Sequence, residues 1–183
     1  MITADHNEHA RTIAKEVGVF FNPECDHAII RIEGDELLGG VIYQGYTGAS
    51  IRAHIAGFKP RWIDKDLLWM IFDYPFGQLG VRKIIGHVHS TNLKALDFNR
   101  KLGFKEEARI EGVFRDADLV IMSMRREDCR WLERGKRRGI FRKRGSTART
   151  RHERCDQCGQ RSHDNGQGHG PRDLRLGHEG GCG

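Results

Sequence analysis

The middle of the chain changes its hydrophobic period twice, and this constrains the fold more than any other feature. Ser50–Ala56 (SIRAHIA) and Arg82–His89 (RKIIGHVH) have the composition of strands, whereas apolar residues recur at helical spacing over Arg61–Gly77. A strand, a helix and a second strand form a crossover unit, whose strands are parallel and joined right-handedly. The sequence therefore predicts one parallel strand pair with a largely buried helix between its strands.

Tight turns and short strands flank this unit. Gly34-Asp35 and Thr47-Gly48 join three successive strands, which therefore pair antiparallel as a meander. Gly39-Gly40, within the second of these strands, predicts a bulge or a close backbone approach. The other predicted elements are a helix at Ile2–Val17, strands at His27–Glu33 and Glu36–Tyr46, a helix at Thr91–Leu102 capped by Ser90 or Thr91, and strands at Lys105–Phe114 and Leu119–Arg125.

The predicted fold class is α/β (α+β) with a mixed sheet that is antiparallel at both ends and has one parallel, splayed pair in its middle. Ligands of such sheets bind at the carboxyl ends of parallel strands, where a helix N-terminus can face an anion. This rule places a binding site after Ala56 and after His89.

Charge divides the chain into two parts. The sequence has 31 Lys or Arg and 25 Asp or Glu, a net charge of +6 with neutral histidines. Residues 134–183 hold 13 basic and 5 acidic side chains, so residues 1–133 carry a net charge of −2. We interpret residues 1–133 as one domain and residues 134–183 as a basic Gly/Arg/His-rich tail, whose composition predicts disorder. The mildly acidic domain suits a cationic amine as a ligand.

Other compositional features concern location. No stretch approaches the roughly 18–20 consecutive apolar residues of a membrane helix, and the polar N-terminus lacks the apolar core of a signal peptide. The chain has five cysteines, and only Cys25 and Cys129 lie in residues 1–133. An odd number argues against a disulfide framework, so we expect two small buried hydrophobes and a cytoplasmic protein without membrane partners.

The tail contains two candidate binding features. The run Gly135–Gly145 (GKRRGIFRKRG) could contact nucleic acid by counterion release, or it could be a solvated extension. Four possible zinc ligands have a knuckle-like spacing but lack the apolar residues of a folded finger, which makes them weak metal candidates: Cys155, Cys158, His163 and His169.

The segment Ser90–Phe104 (STNLKALDFNRKLGF) resembles the Asn-x-x-Ala-x6-Leu-Gly-Phe element of the GCN5-related N-acetyltransferase (GNAT) superfamily. Leu79–Ile84 (LGVRKI) is similar to the segment that leads into that family's fifth strand, and the resemblance covers roughly Ala28–Met124. The residues on motif positions are Asn92, Ala95, Leu102, Gly103 and Phe104. The segments FDYPF (Phe72–Phe76) and REDCRW (Arg126–Trp131) resemble a subgroup often encoded by bacteriophages.

The resemblance implies an enzyme that transfers acetyl from acetyl-CoA to a primary amine by direct transfer, without a required metal, as a monomer or homodimer. It places pantetheine along the opened strand near His54–Gly57, with Asn92 steadying it, and the pyrophosphate at the start of the Arg61 helix. For Phe98 plain helix packing is an equal alternative. The residues assigned to acetyl-CoA are Ile55, Ala56, Gly57, Lys59, Arg61, Trp62, Asn92, Ala95, Phe98 and Asn99.

Two positions depart from the family pattern. The pyrophosphate loop usually reads Gln/Arg-x-x-Gly-x-Gly/Ala, whereas Gly57–Trp62 (GFKPRW) has no second glycine. Lys59 and Arg61 could replace some of the backbone donors by charge. Asn99 stands where many relatives place a tyrosine that protonates the leaving thiolate, and an asparagine has no such proton to give.

Transfer to an amine needs a neutral nucleophile and a proton acceptor, which points to histidine at neutral pH. The catalytic candidates are His54, on the first parallel strand, and His89 and Ser90, at the end of the second. His87 shares a strand face with His89. A structural hydrogen-bonded side chain is the alternative for each histidine. The competing function is a nucleic-acid-binding protein that uses a catalytically weak GNAT-like scaffold and its basic tail.

Overall fold

The structure, a computed structural model, describes residues 1–4 and 7–133. The strands are β1 (Ile2–Ala4), β2 (His27–Glu33), β3 (Glu36–Gln44), β4 (Ser50–Gly57), β5 (Lys83–His89), β6 (Lys105–Ile110) and β7 (Leu119–Arg125). The helices are α1 (Asn7–Glu16), α2 (Lys65–Asp73) and α3 (Leu93–Leu102), and a π-helical segment (Tyr74–Leu79) follows α2.

The strands form one sheet in the order β1-β2-β3-β4-β5-β7-β6. Only β4 and β5 pair in parallel, and all other neighbours are antiparallel. This confirms the predicted fold class, with antiparallel pairing at both ends and one parallel pair in the middle.

The N-terminal segment differs from the prediction. A helix over Ile2–Val17 is wrong at its start, because Ile2–Ala4 adds an edge strand to β2 and the helix begins at Asn7. The Met1 ammonium donates to the Ile32 carbonyl at 2.6 Å, which ties the terminus to the sheet. Pairing with a distant strand supplies these hydrogen bonds, so local periodicity could not reveal them.

The crossover helix is shorter than Arg61–Gly77. It begins at Lys65 because Asp64 caps it, with Oδ1 accepting from the amides of Asp66 (3.1 Å) and Leu67 (2.8 Å). The α-helix ends at Asp73, and the π-helical segment that follows has Pro75 near its start. Proline has no N–H to continue an α-helical ladder, which accounts for the change at this point.

The helices cover the two faces of the sheet unequally. On one face of the sheet, buried side chains of α2 and α3 pack against the central strands and form one apolar cluster. This cluster includes Leu67, Ile71, Leu96, Ile84 and Met122. A second cluster packs α1 against β2 and β3. On the α1 side, Ile85 of β5 and Ile121 of β7 are half-buried and His87 is exposed. The described residues therefore leave that face of β5 and β7 accessible.

Two further predictions concern cysteines and membrane helices. Cys129 is a free, buried thiol as predicted, whereas Cys25 is buried and disulfide-bonded, so the expectation of a reduced side chain is wrong for Cys25. Among residues 1–4 and 7–133, no helix combines the length and apolar character needed to cross a membrane.

Candidate active site

The sheet opens between its two parallel strands. The register joins Ser50–Arg52 with Lys83–Ile85 and no later residues, although β4 continues to Gly57 and β5 to His89. Each strand keeps its outer partner to its end, β3 for β4 and β7 for β5. Within the described residues, the cleft is therefore bordered by two strand edges whose inward backbone N–H and C=O groups lack a strand partner.

Two histidines stand at the narrow end of this cleft. Arg52 pairs with Ile85, so His54 and His87 lie at corresponding positions two residues further along each strand. Burial lowers the pKa of His54 to about 4, helped by the Arg52 charge and by His87. Burial also lowers the pKa of His87, and Arg52 adds to the effect. Both imidazoles are therefore neutral at pH 7.

The Nε2 atom of His54 is buried and has no hydrogen-bond partner in residues 1–4 and 7–133. A buried polar atom without a partner is uncommon in folded proteins and needs an explanation. His54 lies two residues beyond Arg52, where the pairing of β4 with β5 has stopped.

The other two catalytic candidates are bound to the connection between β6 and β7. Nδ1 of His89 lies 2.7 Å from Thr91 Oγ1, and its Nε2 lies 3.5 Å from Asp116 Oδ1. Ser90 Oγ accepts from the Asp118 amide at 3.0 Å. These contacts hold that connection against the end of β5. The sequence places His87 and His89 on the same face of β5 and does not distinguish them, whereas the register with β4 sets His87 opposite His54.

The loop after β4 is tied down at its start. The amides of Phe58 and Lys59 both donate to the Leu38 carbonyl, at 2.9 and 3.3 Å. Lys59 Nζ also lies 2.5 Å from Glu36 Oε1. Two backbone donors and one cation of the predicted pyrophosphate loop thus have partners within the protein.

Arg31 of β2 anchors the second half of this loop. Its Nη1 donates to the Trp62 carbonyl at 3.1 Å and lies 2.9 Å from Asp64 Oδ2. Between these anchors, Arg61 has a φ of 58°, a left-handed conformation that is uncommon outside glycine. The predicted helix start at Arg61 is therefore an irregular loop. The N-terminus of α2, four residues on, is occupied by the Asp64 carboxylate.

Trp62 covers the end of β4. A Cβ atom on Gly57 would lie 2.1 Å from Trp62 Nε1, and one on Gly39 would lie 2.5 Å from its Cε3. The indole also packs against Phe98 of α3, with ring centroids 6.2 Å apart. The close backbone approach predicted at Gly39-Gly40 is confirmed, because a Cβ would lie 2.8 Å from the Ala56 carbonyl oxygen at Gly39 and 2.7 Å from that of Ile29 at Gly40. Trp62 and Phe98 form an aromatic wall beside the cleft.

The two asparagines of α3 have partners on their own helix. Asn92 is the N-cap, which corrects the prediction of Ser90 or Thr91, and its Oδ1 accepts from the Ala95 amide at 3.0 Å. The buried Asn99 donates from Nδ2 to the Ala95 carbonyl at 2.8 Å. Asn99 Oδ1 points toward Gly86 of β5, 3.9 Å from where a Cβ would lie.

The remaining acetyl-CoA candidates surround the cleft. Ile55, Ala56 and Gly57 lie on the part of β4 beyond the last parallel pair, and Ala95 is half-buried on α3. In the described part of the chain, no group of three or more metal-ligating side chains is present. The tail candidates Cys155, Cys158, His163 and His169 and the basic run lie outside it.

Comparison with known proteins identifies the fold. No family model and no curated protein matches the chain, but many solved structures do. Mutant forms of the spermidine/spermine N-acetyltransferase SpeG from Vibrio cholerae match with a TM-score of 0.57 and 18% identity, over 74% of this chain and 97% of that one. SpeG with CoA and spermine matches with a TM-score of 0.50 and 22% identity, over 68% and 76%.

A putative acetyltransferase of the GNAT family from Desulfovibrio desulfuricans matches with a TM-score of 0.54 and 17% identity, over 68% of this chain and 99% of that one. The chain therefore has the fold of the GNAT acetyltransferases, as the resemblance implied. The bacteriophage subgroup stays a prediction.

Proposed function

We propose that the protein is an N-acetyltransferase that moves acetyl from acetyl-CoA to a primary amine by direct transfer. The opening between β4 and β5 beyond Arg52 and Ile85 carries this proposal. It provides a cleft between two backbone edges at the carboxyl ends of parallel strands, where ligands of such sheets bind. His54, whose buried Nε2 has no partner in the described residues, lies on the part of β4 that borders this opening.

The pantetheine part of acetyl-CoA fits the cleft. Its amides can pair with the edge of β4 over Ala53–Gly57, where the described residues offer no strand partner on the β5 side. Trp62 and Phe98 supply an apolar wall. Acetyl-CoA, when bound, supplies an acetyl group activated as a thioester.

The loop expected to bind the phosphates of acetyl-CoA differs from the pyrophosphate loop of the family pattern. Asp64 holds the amides at the start of α2, so charge on Arg61 and Lys59 has to replace part of the usual backbone cradle. The ion pair between Lys59 and Glu36 is exposed to solvent. Such a pair contributes little to stability, so Lys59 can leave Glu36 and bind a phosphate instead. We therefore expect phosphate binding that depends strongly on salt.

His54 would handle the proton of the acceptor amine. Its neutral imidazole accepts a hydrogen bond from the amine and takes the proton as the N–C bond forms. With a pKa of about 4, the resulting imidazolium is acidic enough to pass that proton to the leaving thiolate, whose thiol has a pKa of about 8.5. One histidine thereby supplies the acid that Asn99 cannot provide.

Calorimetry with acetyl-CoA on the full chain, followed by measurement of amine-dependent CoA release, tests this proposal. We expect micromolar binding, retained in His54→Gln, together with release that the variant loses. Absence of acetyl-CoA binding at high micromolar ligand would overturn the proposal. The nucleic-acid alternative depends on residues 134–183, and nothing in the described domain favours it.

A further inference from the structure

Arg52 places a positive charge beside the two cleft histidines. It precedes His54 by two residues on β4, so the two side chains lie on the same face of the strand. Its side chain extends beside Gly45, where a Cβ would lie 2.9 Å from Nη2. Arg52 is exposed, and its charge acts on both His54 and His87.

The described part of the chain gives this guanidinium no ion pair within 4.0 Å. The carboxylate that it influences is Asp26, which is buried in the loop before β2. Asp26 Oδ2 already accepts from the Asn22 amide at 2.8 Å and from Gln44 Nε2 at 2.6 Å. Asp26 therefore does not form a direct ion pair with the Arg52 guanidinium, which is exposed and accessible to a ligand.

The groups around the narrow end of the cleft do not suit a polycation. Arg52 is cationic, while His54 and His87 are neutral, and no carboxylate of residues 1–4 and 7–133 contributes to the pKa shift of either histidine. Two like charges a few ångströms apart repel each other, so a second ammonium close to Arg52 would be disfavoured. The net charge of −2 on residues 1–133 therefore does not predict the charge of the preferred acceptor, because the charge at the narrow end of the cleft is positive.

Building on the proposed acetyltransferase function, we propose that the acceptor is a small amine that also carries an anionic group, a carboxylate or a phosphate, which Arg52 binds while His54 receives the amine. Residues i and i+2 of a strand lie about 6.5 Å apart along it. The Arg52 guanidinium extends from this position to Gly45, so the two side chains suit an amine and an anion joined by several carbon atoms. Arginine pairs with carboxylate and phosphate through two parallel hydrogen bonds, which would orient the acceptor.

Matched acceptors test this inference with the full chain. The anionic probes are alanine, β-alanine, 4-aminobutyrate and 2-aminoethyl phosphate, the neutral probes are propylamine and butylamine, and the cationic probes are 1,3-diaminopropane, 1,4-diaminobutane and spermidine. We expect at least one anionic probe to exceed every neutral probe tenfold in kcat/KM, with the cationic probes slowest. Comparison of the carboxylates with the phosphate identifies which anion Arg52 selects.

Substitution of Arg52 supplies the second arm. Arg52→Gln should lower kcat/KM for anionic acceptors at least tenfold and for neutral ones less than threefold, and Arg52→Glu should favour the diamines. Arg11→Gln, at an exposed position on α1, is the control and should change neither. Faster turnover of cationic probes by the unmodified protein, or an equal effect of Arg52→Gln on all probes, would overturn the inference.

Acetyl-CoA binding separates the two possible failures. If acetyl-CoA binds but no anionic amine is acetylated, the assignment of Arg52 is wrong while the proposed function survives with a different acceptor. If acetyl-CoA does not bind, the proposed function itself fails, and the inference fails with it.

Discussion

His54 and His87 occupy corresponding positions on two parallel strands, each two residues past the last pair that joins those strands. The sheet is continuous up to Arg52 and Ile85 and open beyond them, so the two imidazoles mark the narrow end of the opening. Burial lowers the pKa of His54, and partial desolvation together with the Arg52 charge lowers that of the more exposed His87. Only His54 has a fully buried nitrogen without a partner in the described residues. The predictions below concern this pair and the loop that borders the cleft.

Replacement of His54 should remove proton transfer without removing acetyl-CoA binding. We expect His54→Gln to lower kcat/KM by about 10²–10³-fold, the range of general acid–base catalysis. In the unmodified protein, the contribution of His54 should persist down to about pH 5 and disappear as its Nε2 is protonated near pH 4. Kinetics from pH 4 to 9 measure both effects, and unchanged turnover in the variant would contradict the role.

The same histidine should make stability depend on pH. The pKa of His54 is about 4 in the folded chain and about 6.5 when unfolded, so between these values the unfolded state binds the extra proton. The free energy of unfolding should therefore decrease as the pH falls from 6.5 to 4, by on the order of 3 kcal/mol.

Urea denaturation across this range measures the slope. His54→Gln should reduce it, whereas His89→Gln, which removes a ring partnered by Thr91 and Asp116, is the matched control. An identical slope in all three proteins would show that His54 is not buried as a neutral ring.

Substitution of Gly57 by a larger residue should destabilise the fold, because the Trp62 ring occupies the space of a Cβ atom. A Cβ at Gly57 would lie 2.1 Å from the indole nitrogen, so Gly57→Ala has to displace the ring at a cost of about 1–3 kcal/mol. Gly86→Ala is the control on β5, since its Cβ would meet nothing closer than 3.9 Å. Thermal unfolding of both variants checks the difference.

A double-mutant cycle attributes this cost to the Trp62 ring. In a Trp62→Ala background, the added cost of Gly57→Ala should fall to a few tenths of a kcal/mol, because the colliding ring is gone. An unchanged cost would mean that the backbone of β4, and not the indole, opposes the methyl group.

Asp64 should stabilise the start of α2 as its N-cap, while its negative charge should weaken the binding of phosphates nearby. Asp64→Ala removes the cap of α2 and should cost about 1 kcal/mol, whereas Asp64→Asn keeps a capping oxygen and should change stability little. If the phosphates of acetyl-CoA bind near this loop, Asp64→Asn should lower the Kd several-fold by removing a negative charge. Calorimetry at two salt concentrations checks this, and a weaker complex in Asp64→Asn would contradict it.

Much of the fold was predictable because it depends on local patterns. Turn residues and alternating side chains predicted β2 and β7 with their observed bounds, and Gly103 predicted the end of α3. Other boundaries depended on distant partners. Strand β1 exists because β2 offers an edge to Ile2–Ala4, and α2 begins late because Asp64 is both its cap and a partner of Arg31.

The candidate site divides in the same way. The sequence by itself determined that two parallel strands bring His54 and the segment after His89 to one edge of the sheet, because strand order and crossover handedness follow from local periodicity. Only the tertiary structure decided where the parallel pairing stops, which histidines keep an available nitrogen and which cation stands beside them. These properties depend on inter-strand register and on burial among residues far apart in the chain, and no local pattern encodes either one.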